Sequence, residues 1–272
     1  MSTQPRIHKT EAIVLKHIPL GEADYMVTLF TPNQGRLRAV ARGARKIKSR
    51  LGGHLEPIMR SSLLVARGQS LDSVQQAEVL EGFRAVREDL DRLSQAIYMA
   101  ELVDSSTAEG QSNYPIYRLL LEALRSLDGP AAPALLPHFQ LRLLGYSGFM
   151  PELNRCVECE TPLEPTRHRF APGQGGCLCD GCHPAGVTIF PLSLNTLKAL
   201  RFLQRCERME DAVRLRLDDE TLTEMRRLME ALLHYVLDRE PRGSRFLGQV
   251  SQGSKRDAAT ALTAGAAGGE RA

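Results

Sequence analysis

The hydrophobic pattern of this chain changes period once, near Gly82, and that change divides the folds open to it. Before it, segments at 10–18, 24–30, 36–43, 57–66 and 71–80 are rich in Val, Ile, Leu and Thr, with turn residues such as Pro19-Leu20-Gly21 and Pro32-Asn33-Gln34-Gly35 between them. That predicts five short strands. After it, Phe83, Val86, Leu90, Leu93 and Ile97 recur at three- and four-residue steps up to Glu101-Leu102, which predicts an amphipathic helix. Further helices are expected at 115–127, where Pro115 suits a first turn, and at 134–144, ended by Gly145. Two more are expected at 193–205 and 218–237, the second with Leu222, Met225, Met229, Leu232, Leu233 and Val236 as its apolar stripe. The fold class expected is α+β and multidomain. Five strands in so short a span fit a closed barrel of the OB type; an SH3-like barrel has a similar strand budget, and the pattern leaves both open.

The organisation expected is a barrel over 1–80, a helical domain over 81–150 and 184–248, an insertion at 151–183 and a disordered small-residue tail over 249–272. Charge follows the first boundary. Residues 1–80 hold 12 Lys and Arg against 6 Asp and Glu, while the chain as a whole is only +3, so a basic unit precedes a mildly acidic one. No apolar run reaches the roughly 18 residues of a membrane span, and the first residues lack the apolar core of a signal peptide, so a cytoplasmic protein is expected.

Most of the basic excess sits between Gly35 and Gly53, in Arg36, Arg38, Arg42, Arg45, Lys46, Lys48 and Arg50, with no carboxylate among them. Seven like charges repel unless an anion lies against them, and a phosphate chain is the expected one. Arg36, Arg38 and Arg42 share one parity and Leu37, Ala39 and Ala41 the other, as in a half-buried strand with its cations on one face. Tyr25 and Phe30 are the barrel's only aromatics besides histidine and read as core, which leaves phosphate contact as the main source of affinity.

The insertion carries Cys156-Val157-Glu158-Cys159 and Cys179-Asp180-Gly181-Cys182. Two C-x-x-C turns can aim four thiolates at one tetrahedral cation, which predicts one zinc held by Cys156, Cys159, Cys179 and Cys182. A closed shell leaves no place for an activated water, so the metal is expected to be structural. Cys177 and His183 lie close enough in sequence to replace a ligand, and Cys206, within an apolar helix pattern, reads as a buried thiol. The chain has no G-x-x-x-x-G-K-[ST] loop, no H-E-x-x-H and no defensible paired-carboxylate motif, so no catalytic residue is assigned. These residues alone describe a basic barrel that binds nucleic acid. An RNA-binding or transcription-associated zinc ribbon and a nuclease are the alternatives.

Several strings resemble the RecO family of bacterial recombination mediators: Gly21-Glu22-Ala23-Asp24, Leu29-Phe30-Thr31, Gly35 through Val40, Arg42-Gly43-Ala44-Arg45 and Ser49-Arg50-Leu51-Gly52-Gly53. The likeness continues through Gln76 to Leu80, Arg87 to Leu90, Glu101-Leu102-Val103-Asp104, Gly175-Gly176 and Ser244-Arg245-Phe246-Leu247, so it spans most of the chain. Ala23, Tyr25 and the extra Cys177 depart from the family pattern. The resemblance implies an OB barrel, a helical domain with an inserted zinc finger, and no enzyme activity. It also implies binding to single- and double-stranded DNA, strand annealing and loading of RecA in the RecF pathway. RecR and the acidic, apolar-ended tail of the single-stranded-DNA-binding protein (SSB) are the implied partners. Arg118, Arg125 and Arg142, beside apolar helix faces, are candidate cations for that tail.

Overall fold

A computed structural model describes residues 7–237. Strands β1 (Ile7–Leu20), β2 (Asp24–Thr31), β3 (Gly35–Ala41), β4 (Arg60–Ala66) and β5 (Asp72–Glu81) close into a barrel in the order β1-β2-β3-β5-β4. The first half of β1 pairs antiparallel with β4 and the second half with β2, and a register shift between Val14 and Lys16 lets the strand bend from one to the other. A short parallel contact, Ala39 and Val40 against Asp72 and Ser73, completes the wall. This order decides for the OB type over the SH3-like one.

Alternation along the strands builds two cores. Ala12, Val14, Val27, Leu29, Ala39, Leu63 and Val65 fill the barrel interior. Ile13, Leu15, Phe30 and Ile58 face the other way and join the helices in one continuous cluster with Tyr98, Tyr117, Leu120 and Phe139. Burying side chains of this size is worth roughly 1.5–3 kcal/mol each, so the outer wall of β1 and β2 is held by the helices as firmly as the interior is by itself. Phe30 is core, as expected. Tyr25 is not: it shares the inner row of Val27 and Leu29 but stands one step beyond them, half-buried at the barrel's end.

The helical part is α1 (Arg84–Glu88), α2 (Leu90–Ser106), α3 (Tyr114–Leu127), α4 (Leu135–Tyr146), α5 (Leu194–Arg205), α6 (Met209–Ala212) and α7 (Asp219–Leu237). The single helix expected from Phe83 to Leu102 is broken at Asp89, whose extended backbone and side chain, accepting from the Arg92 amide, start a new helix. Asn113 and Ser193 cap α3 and α5 in the same way. Helix α4 does not end at Gly145 but runs on to Tyr146, and the left-handed residue that follows is Gly148, φ 84°. Gly145 is instead a packing position, since a Cβ there would come 2.5 Å from the Met150 methyl.

The insertion's β6 (His168–Ala171) and β7 (Gly176–Leu178) join β8 (Phe190–Leu192) in a three-stranded sheet, β7-β6-β8, which runs past the boundary expected at 183. Phe170, Cys177 and Leu178 pack into the helical core, and Cys206 is buried there as expected. Polar contacts tie barrel to helices. Arg60 on β4 bridges Glu11 and Glu81, Arg125 on α3 makes two 2.7 Å bonds to Glu81, and the Tyr117 hydroxyl donates to Glu11 at 3.1 Å. At Gly35, φ +65°, a Cβ would lie 1.7 Å from the Gln111 carbonyl oxygen, so the β2–β3 turn and the α2–α3 loop touch backbone to backbone. Among the described residues no helix is long and apolar enough to cross a membrane. The expected tail over 249–272, the end of the helical domain at 238–248 and the Ser244-to-Leu247 string lie outside the described residues.

Candidate nucleic-acid interface and metal centre

Alternation divides the seven cations of the basic stretch into two groups with different work. On β3, Ala39 and Ala41 point into the barrel and Arg36 and Arg38 point out, toward the end of α2. Arg36 donates to the Asp104 carbonyl at 2.5 Å and to its carboxylate at 2.9 Å, and Lys16 from β1 reaches the same carboxylate at 2.5 Å. Arg38 pairs with Glu109 at 2.7 Å. Burial alone would push the Asp104 carboxyl up, but the hydrogen bonds from Lys16 and Arg36 outweigh it and hold it below the usual carboxylate range. The two strand arginines are thus spent on the joint between barrel and helices.

Arg42, Arg45, Lys46, Lys48 and Arg50 lie in the loop after β3, all exposed, and none is ion-paired among the described residues. The loop has a set shape. The Gly43 amide donates to the Asp24 carboxylate at 2.7 Å, the Arg45 amide to the Ala23 carbonyl at 2.9 Å, and the Arg45 guanidinium to the Gly21 carbonyl at 2.8 Å. The Ser49 hydroxyl accepts from the Leu51 and Gly52 amides. These bonds seat the loop on the β1–β2 turn, beside the barrel end that carries Tyr25. Five cations on an ordered loop make a surface matched to a phosphate chain by charge, with Ile47 fully exposed among them.

In the insertion, the sulfurs of Cys156, Cys159, Cys179 and Cys182 all lie within 4.8 Å of one another. Bonds of about 2.3 Å to a tetrahedral cation would set sulfurs about 3.8 Å apart. The Cys159 and Cys179 sulfurs are 3.7 Å apart, so the four residues fit a metal ion. Burial pushes the Cys156 thiol up, but hydrogen bonds from the backbone of Cys179, Cys159 and Glu158 prevail and bring it down to about 6. Cys182 moves up through its contacts with Cys159 and Cys179, because one thiolate in so small a space holds the proton on its neighbour. A divalent cation removes that conflict. Cys177 stands apart, buried in the core, its thiol pushed up to about 12 by that burial. His183 is engaged through Nδ1 by Arg169 at 2.6 Å. The structure therefore gathers the four expected cysteines and neither alternative.

Sequence reading missed three kinds of residue. Asp104 and Glu109 neutralise two of the seven cations from 68 and 71 positions away, and no local pattern announces such a pairing. Arg169 donates to the carbonyls of Cys179 and Cys182 at 2.6 and 3.0 Å and so fixes the second cysteine turn. The third kind lines a cleft of about 450 Å³ between α2, the α3–α4 loop and α7, with Leu127, Leu135, Leu136 and Leu222 as apolar lining and Arg92 and Arg226 among its charges. Arg118, Arg125 and Arg142 do not line it. They are engaged by Glu122, Glu81 and Tyr146.

Residues 1–83 match the family model described as Recombination protein O N terminal, and residues 87–246 match Recombination protein O C terminal. The chain is 40% identical over 248 residues to the DNA repair protein RecO of Roseiflexus sp. (strain RS-1), covering 91% of this chain and 87% of that protein. It is 34% identical over 249 residues to the DNA repair protein RecO of Dehalococcoides mccartyi (strain CBDB1), covering 91% and 98%. To the protein of the same name from Desulforudis audaxviator (strain MP104C) it is 38% identical over 244 residues.

Proposed function

The chain belongs to the RecO family, and on that premise we propose that it is a DNA repair and recombination mediator of the RecF pathway. It binds single- and double-stranded DNA, anneals complementary strands and helps load RecA onto single strands coated with SSB. The observation that carries this reading is the loop of Arg42, Arg45, Lys46, Lys48 and Arg50: five exposed, unpaired cations, pre-ordered on an OB barrel. Annealing brings together two polyanions, and a fixed cationic surface screens their repulsion without reading sequence. Its part is binding, with no covalent bond made or broken. It works in the cytoplasm on nucleoid DNA, with RecR as a partner inferred from the family alone. Family membership does not favour the RNA-binding zinc ribbon.

The metal is zinc, since four thiolates at tetrahedral spacing suit it and leave no open position; it stiffens the finger against the helical core. The cleft between α2 and α7 receives the SSB tail. Asp89, Asp91 and Glu230 line it beside Arg92 and Arg226, so the cleft carries both signs, and the apolar end of the tail supplies the hold. The test is annealing of complementary strands, bare, coated with SSB, and coated with SSB lacking its tail. Annealing is expected on the first two and much reduced on the third. Equal rates on both coats remove the tail site, and no annealing of bare strands removes the reading as a whole.

A further inference from the structure

At the barrel end beside the basic loop, two rings lie one on the other. His17 and Tyr25 have centroids 4.2 Å apart and planes within 3° of parallel. The strand register explains the pairing. His17 stands opposite Val27 and Tyr25 opposite Pro19 on neighbouring β1 and β2, so both rings occupy the inner row, just past the last aliphatic layer. There they close the barrel instead of filling it, and both remain half-exposed. The His17 Nδ1 has no hydrogen-bond partner, which leaves stacking to set the ring's orientation.

The Arg45 guanidinium carbon stands 6.0 Å from the Tyr25 centroid. His17 at 4.2 Å covers one face of the Tyr25 ring, so a further planar group has only the other face to stack on. Contact stacking of a guanidinium needs about 3.5–4 Å, and a planar group between guanidinium and ring needs about 7 Å. The spacing is therefore too wide for contact and within about 1 Å of an open slot. Arg45 is exposed, and among the described residues its guanidinium bonds the Gly21 carbonyl, so it can swing that far at little cost.

We propose that Tyr25, backed by His17 and covered by Arg45, is a stacking platform for one splayed base of a single DNA strand. This rests on the reading of loop 42–50 as the DNA interface and deepens it. The phosphates on either side of the base run to the loop cations, and the flat slot takes any base, because every base offers a π face. Bases within a duplex are already stacked and cannot enter without being extruded. The platform thereby gives the protein a preference for single strands that charge alone does not supply, since a duplex carries more phosphate per length. Annealing gains from that preference: the held strand is released as it becomes duplex.

The variant to measure is Tyr25→Leu, which keeps an apolar cover on the barrel end, with Tyr25→Phe as the conservative partner. Affinities for an oligo-dT strand and for a duplex of equal length are measured by fluorescence anisotropy. Alongside them runs a strand carrying 2-aminopurine, whose emission is quenched by stacking. Tyr25→Leu is expected to bind the strand roughly 5- to 100-fold more weakly, to lose the quenching and to lower the strand-to-duplex ratio, while the salt slope on the strand stays the same. Tyr25→Phe is expected to stay within about twofold of the parent and keep the quenching. The control is the triple variant Arg42→Ala, Lys46→Ala, Lys48→Ala. If the triple variant weakens binding and Tyr25→Leu does not, or if Tyr25→Leu weakens strand and duplex alike with quenching intact, the platform is overturned and the interface stands. If the triple variant binds like the parent, the interface itself fails, and the platform with it.

Discussion

Counterion release gives the division of the seven cations a number. For a single strand, log K falls against log salt with a slope of about −0.7 per phosphate neutralised. Seven available cations would give about −5, but Arg36 and Arg38 are already neutralised by Asp104 and Glu109, and the five loop cations give about −3.5. Between 50 and 200 mM salt the first slope costs nearly a thousandfold in affinity and the second about a hundredfold, a difference that anisotropy titrations at four or five salt concentrations resolve. Replacing Arg42, Lys46 and Lys48 with Ala should flatten the slope by about 2, to roughly −1.4. Arg36→Ala should leave the slope unchanged and instead destabilise the fold, because it leaves the partly buried Asp104 carboxylate with Lys16 as its remaining cation. A parent slope near −5, with Arg36→Ala and Arg38→Ala each flattening it, would show that both arginines leave their carboxylates for phosphate and would refute the division drawn here.

Two further outcomes follow from the core and the finger. Cys156→Ser should release the metal on dialysis and loosen the finger, whereas Cys177→Ser should retain one zinc per chain by elemental analysis; equal loss from both would reassign the ligands. His138, buried with Nδ1 donating to the Leu203 carbonyl, is held down to about 4 by that burial, against about 6.5 in the unfolded chain. The unfolded chain therefore takes up the proton first as pH falls. This contribution is fully present above about pH 6.5 and is lost progressively toward pH 4, on the order of 3 kcal/mol in all. Urea midpoints measured from pH 7.5 to 4.5 should show that decline and His138→Leu should flatten it; a parallel decline in the variant would assign it to other groups.

What could be read from the sequence was local. Strand alternation, the change of period near Gly82 and the spacing of the cysteines each depend on neighbours a few residues apart, and the barrel strands, the main helices and the thiolate cluster appear where they indicate. What could not be read depended on partners far along the chain. Parallel pairing of β3 with β5, which decides between two barrels of equal strand number, is a property of closure. Arg36 looks as free as Arg42 until Asp104 is brought beside it. Tyr25 has the parity of a core residue, and only the length of the barrel shows that the core stops one layer earlier. At Asp89 the apolar period was the weaker signal, overridden by a side-chain cap, and at Gly145 the glycine marked a close contact with Met150 and not the helix end.

The backbone contact at Gly35 reaches beyond packing. With no side chain between the β2–β3 turn and Gln111, and with Asp104 held by both Lys16 and Arg36, the barrel is braced against the helices at two places. On the function proposed here, the basic loop and the α2–α7 cleft are two grips joined by a stiff spacer. For two linked sites, effective concentration is highest when the spacer matches the span and collapses when it does not. A stiff spacer places all of that advantage at one separation. A coat protein bound close along the same strand would gain from both grips at once, while one at another distance would be held by a single grip and soon released.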